Sequence, residues 1–314
     1  MSTPASTAAS ATKGLHPLAQ NGFANAAAYD THRPSFPAET VETLLDNVRV
    51  AGKTGAAIVD LAAGTGKFTE LLAKRPEQYK VTAVEPHAGM RSVLENKSLR
   101  GVEVVDGLST EMPLPDESVD TVIAAQAFHW FANMDSLKEI HRVLQPHGAF
   151  GAIWNVEDYN APRSHKASTT WESKLQDLIW SKDDNQPRFR HEKWRSVFDE
   201  QLESNPVSIT LSATPLFALP IGEQVQEWEI WLSKERVWDR FNTLSQIATL
   251  EGEEREQAYK IFTDAINAPD VETNDKGEVA LHGMTMAIWT TKIPAEGARA
   301  AISEIVDIVK DKLA

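Results

Sequence analysis

Two carboxylates and a glycine turn are spaced as a ligand site would need them. In V-D-L-A-A-G-T-G-K-F-T, residues 59–69, Asp60 precedes Gly64 by four residues, and Glu85 in A-V-E-P follows Gly66 by nineteen. Gly64 and Gly66, with Ala62 and Thr65 beside them, let the backbone approach a ligand closely at the start of a helix. A dinucleotide fingerprint asks for G-x-G-x-x-G/A, and this chain has Thr69 in the third place. Asp60 would repel a pyrophosphate and attract a cationic group. Glu85, followed by Pro86, can accept hydrogen bonds from both ribose hydroxyls, a role common to several nucleotide ligands.

A second stretch, A-Q-A-F-H-W-F over residues 125–131, puts Ala125 and Gln126 directly after an apolar run. His129 is its one titratable group, able to act as a base toward a hydroxyl or to contact a substrate. Phe128 and Trp130 beside it, and Trp154 further on, offer aromatic faces that line a substrate space or favour a cation. The segment P-R-F-R-H-E-K-W-R, residues 187–195, gathers five basic groups in a chain of net charge -14. It reads first as a solvated helix face with Phe189 and Trp194 packed inward, and second as an attractor of an anionic substrate. Trp238 and Phe241 in R-V-W-D-R-F line a pocket or pack a cap.

These groups need elements to hold them. Residues 39–50 carry Val41, Leu44, Leu45 and Val48 at helical spacing. Short apolar runs at 56–61, 80–84, 102–105, 121–125 and 150–154 read as buried strands, separated by helices at 68–74, 90–96 and 134–144. The alternation predicts an α/β fold: a Rossmann-like, doubly wound, mostly parallel seven-stranded sheet with a mainly helical cap insertion. Residues 158–198 are polar and helical in period. A strand at 207–211, helices at 223–247 and 252–266, a last strand at 284–291 and a helix at 295–313 complete the chain. The expected divisions are a disordered tail at 1–20, a cofactor-binding core at 21–156, a mostly helical substrate cap at 157–280 that includes the strand near 207–211, and a return to the core at 281–314.

Composition narrows the function. An acidic chain is poorly suited to duplex nucleic acid or an anionic membrane. There are no cysteines, so disulfides, thiolate nucleophiles and cysteine metal sites are excluded together, which fits a cytoplasmic protein. No run approaches a membrane span. Neither a metal-binding H-E-x-x-H nor a nucleophile G-x-S-x-G is present, so no metal is expected and hydrolase chemistry has no foothold.

Four segments in order resemble the class I S-adenosylmethionine-dependent methyltransferases: V-D-L-A-A-G-T-G, A-V-E-P, D-G-L-S-T-E-M-P-L-P-D-E-S-V-D at 106–120, and H-R-V-L-Q-P-H-G at 141–148. A-A-A-Y-D-T-H-R-P-S-F-P at 26–37 and A-Q-A-F-H-W-F are similar to the branch holding trans-aconitate methyltransferases and the fungal enzyme that methylates cantharidin. The resemblance is close over the sheet half and loose over 157–280. It implies S-adenosyl-L-methionine as cofactor, with Asp60 toward the methionine ammonium and Glu85 at the ribose. It places adenine against Leu108 and Ser109, and backbone at Ala125 and Gln126 against the cofactor. Tyr29 and Arg33 would close over the methionine end, Arg33 pairing with its carboxylate. Relatives often carry an acidic residue where this chain has Leu108, which leaves the adenine amino group to backbone or Ser109. The implied reaction is an in-line methyl transfer, governed by positioning, to a small-molecule acceptor, with oxygen (carboxylate or hydroxyl) first. Other readings are a non-catalytic regulator or partner subunit of the same fold, and a methyltransferase acting on a macromolecule. The oligomeric state is left as monomer or dimer.

Overall fold

The computed structural model describes residues 34–183, 186–201 and 215–294. Helix α1 (Ala38–Asn47) leads into strand β1 (Ala57–Leu61), helix α2 (Lys67–Ala73), strand β2 (Lys80–Val84), helix α3 (Ala88–Asn96) and strand β3 (Val102–Val105). Strand β4 (Val119–Ala125), helix α4 (Met134–Val143) and the long strand β5 (Leu144–Glu157) follow. Beyond them lie helices α5 (Thr170–Ser181) and α6 (Ser196–Glu200), strand β6 (Gly222–Leu232), helices α7 (Lys234–Phe241), α8 (Ser245–Ala248) and α9 (Gly252–Ile266), and strand β7 (Val279–Thr291).

The sheet has seven strands in the order β3-β2-β1-β4-β5-β7-β6. The first five pair in parallel, while β7 runs antiparallel to both β5 and β6. The expected α/β architecture is present. Successive residues of each strand feed opposite faces. Ile58 and Ile123 pack with Leu44, Leu45 and Leu72 on one side, and Val59, Val122 and Phe150 pack with Leu137 and Ile140 on the other. A third cluster joins Tyr159, Trp171, Phe241 and Phe262 to Val279 and Leu281, so the helices after β5 rest on the far end of β7.

One expectation fails. Residues 223–247 were expected to be a single helix, but residues 222–232 form edge strand β6, and the helix begins only after Ser233, whose hydroxyl accepts from the Arg236 N–H at 3.3 Å. Exposure alternates strictly along β6. Two of its inward positions are glutamines, and the Gln226 amide donates to Glu39 on α1 at 3.1 Å. A polar inner face masked the two-residue period. The expected strand at 207–211, the tail at 1–20 and the helix at 295–313 lie outside the described residues.

An ion pair fastens the outer helices to the sheet. Arg240 on α7 donates to Glu157, the last residue of β5, at 2.6 Å; both side chains are buried. The guanidinium also lies 5.2 Å from the centre of the Trp228 ring. Removing one partner of such a pair leaves a buried charge uncompensated, at a cost of about 3–5 kcal/mol. Arg240→Ala is therefore expected to lower the urea midpoint by that equivalent at neutral pH. An unchanged midpoint would show that Glu157 is compensated elsewhere.

Candidate active site

The carboxyl ends of β1 to β4 converge on a cleft of about 300 Å³, beside the point where the strand order reverses between β1 and β4. Backbone at its rim is held in the left-handed region at Ala62 (φ 57), Gly64 (φ 59) and Gln126 (φ 61), and just behind the rim at Gly66 (φ 86). Two of these are not glycine, and strained residues of this kind cluster where a ligand is held. At Gly66 a Cβ would collide with Leu94 of α3, so this glycine seats α2 against α3.

Glu85 is the pivot of the cleft. It follows β2, is 4% exposed, and accepts from the Gly64 N–H at 2.8 Å and the His87 N–H at 2.7 Å. One carboxylate thus ties the glycine turn to the loop before α3. Burial pushes its pKa up, and the two N–H groups oppose that shift. His87 in turn accepts from the Met90 N–H at 3.2 Å and caps α3. Arg91 donates to the Glu85 carbonyl at 2.7 Å and pairs with Asp106 at 3.2 Å.

Asp60 lies beneath the turn, not on the cleft wall. It is fully buried and accepts from the Thr69 hydroxyl at 2.6 Å, which anchors α2 to β1. Its other oxygen has no hydrogen-bond partner among the described residues. Desolvation raises its pKa to about 7 from an ordinary 3.8; the Thr69 hydrogen bond opposes this and the Glu85 charge reinforces it. Two acids in low dielectric, one with an oxygen unengaged, fit a ligand that brings positive charge and hydroxyl groups.

The structure brings Ala62, Gly64, Thr65, Glu85, Pro86, Leu108, Ser109, Ala125, Gln126 and Trp130 together around the cleft. The Ser109 hydroxyl bonds that of Ser136 at 2.9 Å. Gly66 sits behind the wall, at the start of α2. Tyr29 and Arg33 lie outside the described residues. Phe36, Phe68, Met90 and Phe131 also line the cleft; no spacing rule separates such apolar walls from ordinary core.

Two expected lining residues belong to the core instead. Phe128 is fully buried, packing on Phe150 and Phe198 at ring distances of 4.9 and 5.8 Å, because its position in a one-turn 3-10 helix directs it under the sheet end. Trp154 is fully buried against Phe189 and Trp194. Its indole N–H donates to Nδ1 of His129 at 3.1 Å. Trp238 and Phe241 pack the outer helices, against Phe262 at 5.0 and 5.8 Å.

His129 lines a second, smaller chamber of about 80 Å³, which shares Gln126 and Trp130 with the cleft. Its other walls include Asn155, Ser245, Arg188 and Arg190. Both arginines are buried, so residues 187–195 are not the solvated helix face first expected; they form two short 3-10 turns. Arg188 donates to Ser245 at 2.5 Å and lies 5.7 Å from the centre of the Trp130 ring. Arg190 pairs with Asp183 at 3.1 Å. Gln126 spans the boundary: its side chain donates to the Asn155 carbonyl at 2.8 Å and its backbone N–H to Ile153 at 2.7 Å. Among the described residues there is no group of three or more His, Asp or Glu able to hold a metal, and no helix long and apolar enough to cross a membrane.

This arrangement, a nucleotide-sized cleft with an acid at the end of β2 and a polar annex beyond the end of β4, defines a class of group-transfer enzyme, and comparison identifies it. A methyltransferase domain family matches residues 59–152. A methyltransferase-like protein of Schizosaccharomyces pombe is 30% identical over 270 residues, covering 85% of this chain and 94% of the relative. A Mycobacterium bovis methyltransferase is 39% identical over 131 residues, 42% of this chain and 50% of the relative. A solved structure from Anabaena variabilis, described as a methyltransferase of an antibiotic biosynthesis pathway, shares the fold with a TM-score of 0.52 at 18% identity, covering 84% of this chain and 99% of that one. The chain belongs to the class I S-adenosylmethionine-dependent methyltransferases.

The raised pKa of Asp60 gives stability a pH dependence. The folded state holds this proton up to about pH 7, whereas the unfolded chain releases it near 3.8. The associated stability is complete below the lower value and is lost as pH rises through the higher one. Glu85, also raised, acts in the same direction. The Asp60 contribution is at most about 4 kcal/mol. Asp60→Asn should therefore gain urea resistance relative to wild type above about pH 7, the gap closing near pH 4. A pH-independent gap would refute the assignment.

Proposed function

We propose that the protein transfers a methyl group from S-adenosyl-L-methionine to an oxygen of a small-molecule acceptor, a carboxylate before a hydroxyl. The observation that carries this reading is the second chamber: it is small, polar, flanked by buried Arg188 and Arg190, and shares Gln126 and Trp130 with the cleft. An arginine there favours an anionic head group through a charge-assisted contact.

When bound, the cofactor supplies a methyl group already activated on a sulfonium. What remains for the chain is to bind, orient and exclude water, and such positioning is worth roughly 7–11 kcal/mol of barrier. In this reading Glu85 holds the ribose hydroxyls, with its remaining lone pairs available beside the Gly64 and His87 donors. Asp60, beneath the turn, ionises in favour of the methionine ammonium, because an adjacent cation lowers the raised pKa of the carboxyl group. Leu108, Ser109 and Met90 flank the adenine. Gln126, fixed by its strained backbone and its bond to Asn155, forms the edge at which the two chambers meet. Residues 157–280 select the acceptor, and the similarity of residues 26–37 and 125–131 to the trans-aconitate branch makes polycarboxylic acids the first acceptors to try. The charge of -14 supports an enzyme that binds neither duplex nucleic acid nor an anionic membrane; we place it in the cytoplasm, as a monomer or dimer.

Calorimetry with S-adenosylhomocysteine should show micromolar binding. Glu85→Ala should weaken it by about 100-fold or more, since two hydrogen bonds to a charged group are worth about 1.5–3 kcal/mol each. Undiminished binding by that variant would reject the ribose assignment. A panel of acids, trans-aconitate among them, assayed for release of the demethylated cofactor then tests the acceptor class. Arg188→Met should lower kcat/KM for an acid by about 10- to 100-fold, the range for a lost charge-assisted contact, and leave S-adenosylhomocysteine affinity unchanged. Turnover confined to uncharged acceptors would overturn the carboxylate reading.

A further inference from the structure

The contact between Trp154 and His129 carries chemical information beyond packing. An indole N–H can donate a hydrogen bond and has no lone pair with which to accept one. Its partner at 3.1 Å is Nδ1 of His129, so that nitrogen bears the lone pair. In the neutral ring the proton then resides on Nε2. A serine or a water in place of Trp154 would rotate and permit either tautomer; a tryptophan buried against Phe189 and Trp194 does not. His129 lines the second chamber and Trp154 does not. Nδ1 is therefore turned to the core, and the rest of the ring forms chamber wall.

We propose that Trp154 locks His129 as a hydrogen-bond donor to the methyl acceptor, so that His129 binds an acceptor oxygen through Nε2–H and does not deprotonate it. Trp154 is then a positioning residue, acting through His129. The inference rests on the proposed function for the identity of the chamber, and it says how that chamber selects. The other ionisable residues in its wall are Arg188 and Arg190, both donors only. Asp183 stands behind them, engaged by Arg190 at 3.1 Å and His191 at 2.9 Å. Among the described residues, the chamber wall therefore presents N–H donors and no carboxylate. Its acceptor must arrive with a nucleophilic oxygen that is already ionised near neutral pH, and an aliphatic alcohol does not meet that condition.

The tautomer is measurable without any substrate. In protein labelled with 15N-histidine, a two-bond 1H–15N correlation near neutral pH distinguishes protonation at the two ring nitrogens. Among the nine histidines, the His129 signals are those missing from His129→Gln. We expect the Nε2–H pattern, retained when S-adenosylhomocysteine is added; the Nδ1–H pattern in wild type would overturn the proposal. Trp154→Phe should convert it to a mixture of tautomers, and if that variant does not fold, the wild-type spectrum decides alone. With an acid acceptor from the panel above, His129→Gln keeps an N–H donor and removes any base, so kcat should fall by about tenfold or less, whereas loss of a true base costs about 10²–10⁴-fold. His129→Phe should act mainly on KM for the acceptor, raising it about tenfold, as expected for loss of one bound hydrogen bond. A 100-fold fall in kcat for His129→Gln would overturn the proposal. If wild type fails to bind S-adenosylhomocysteine, the cofactor reading falls, while the tautomer still stands or falls on the spectrum.

Discussion

A carboxylate buried at the end of a parallel strand holds this site in shape. Glu85 accepts one N–H from the glycine turn after β1 and one from the loop before α3, so two segments far apart in sequence are fixed against each other through one side chain. The cost of desolvating that charge is offset by charge-assisted hydrogen bonds, which are about twice as strong as neutral ones. Asp60 makes a parallel link one layer deeper, joining β1 to α2 through Thr69. Both bonds fix backbone, and the two carboxylates bias the space between β1 and β2 toward a cation. The tertiary structure and the ligand preference of the cleft thus come from the same atoms.

The sheet half was legible because its elements are short, buried and locally punctuated. Strands with Val, Ile and Ala on both faces, the first three followed by a glycine or proline turn, leave little choice of period. The positions of Glu85 and of the turn followed from that frame. Phe128 and Trp154 resisted reading for the opposite reason. An aromatic next to a site and an aromatic in the core have the same local sequence, and only the direction of the side chain separates them. A 3-10 turn set that direction for Phe128, and a stack of Phe189 and Trp194 set it for Trp154.

Edge strand β6 shows a second limit. Its outward face carries Glu223, Glu227 and Glu229, and its inward face includes Gln224 and Gln226, the second of which is bonded across 187 residues of sequence to Glu39. Hydropathy alone sees polar residues on both sides. Arg188 and Arg190 pose a related difficulty: alternating arginines on a short segment usually face water, and here they turn inward because Ser245 and Asp183, from distant or folded-back segments, receive them. Non-local partners invert what local composition implies.

The end of β5 is a shared spine. Over four residues it supplies the Trp154 indole to His129, the Asn155 carbonyl to Gln126, and the Glu157 carboxylate to Arg240 of the outer layer. The cofactor cleft, the annex and the outer helices are therefore referenced to one stretch of backbone, and Gln126 and Trp130 belong to both chambers at once. A wall held in common is the place where linkage between the chambers acts: any change that filling one makes in the affinity of the other is returned by the same factor in the opposite direction.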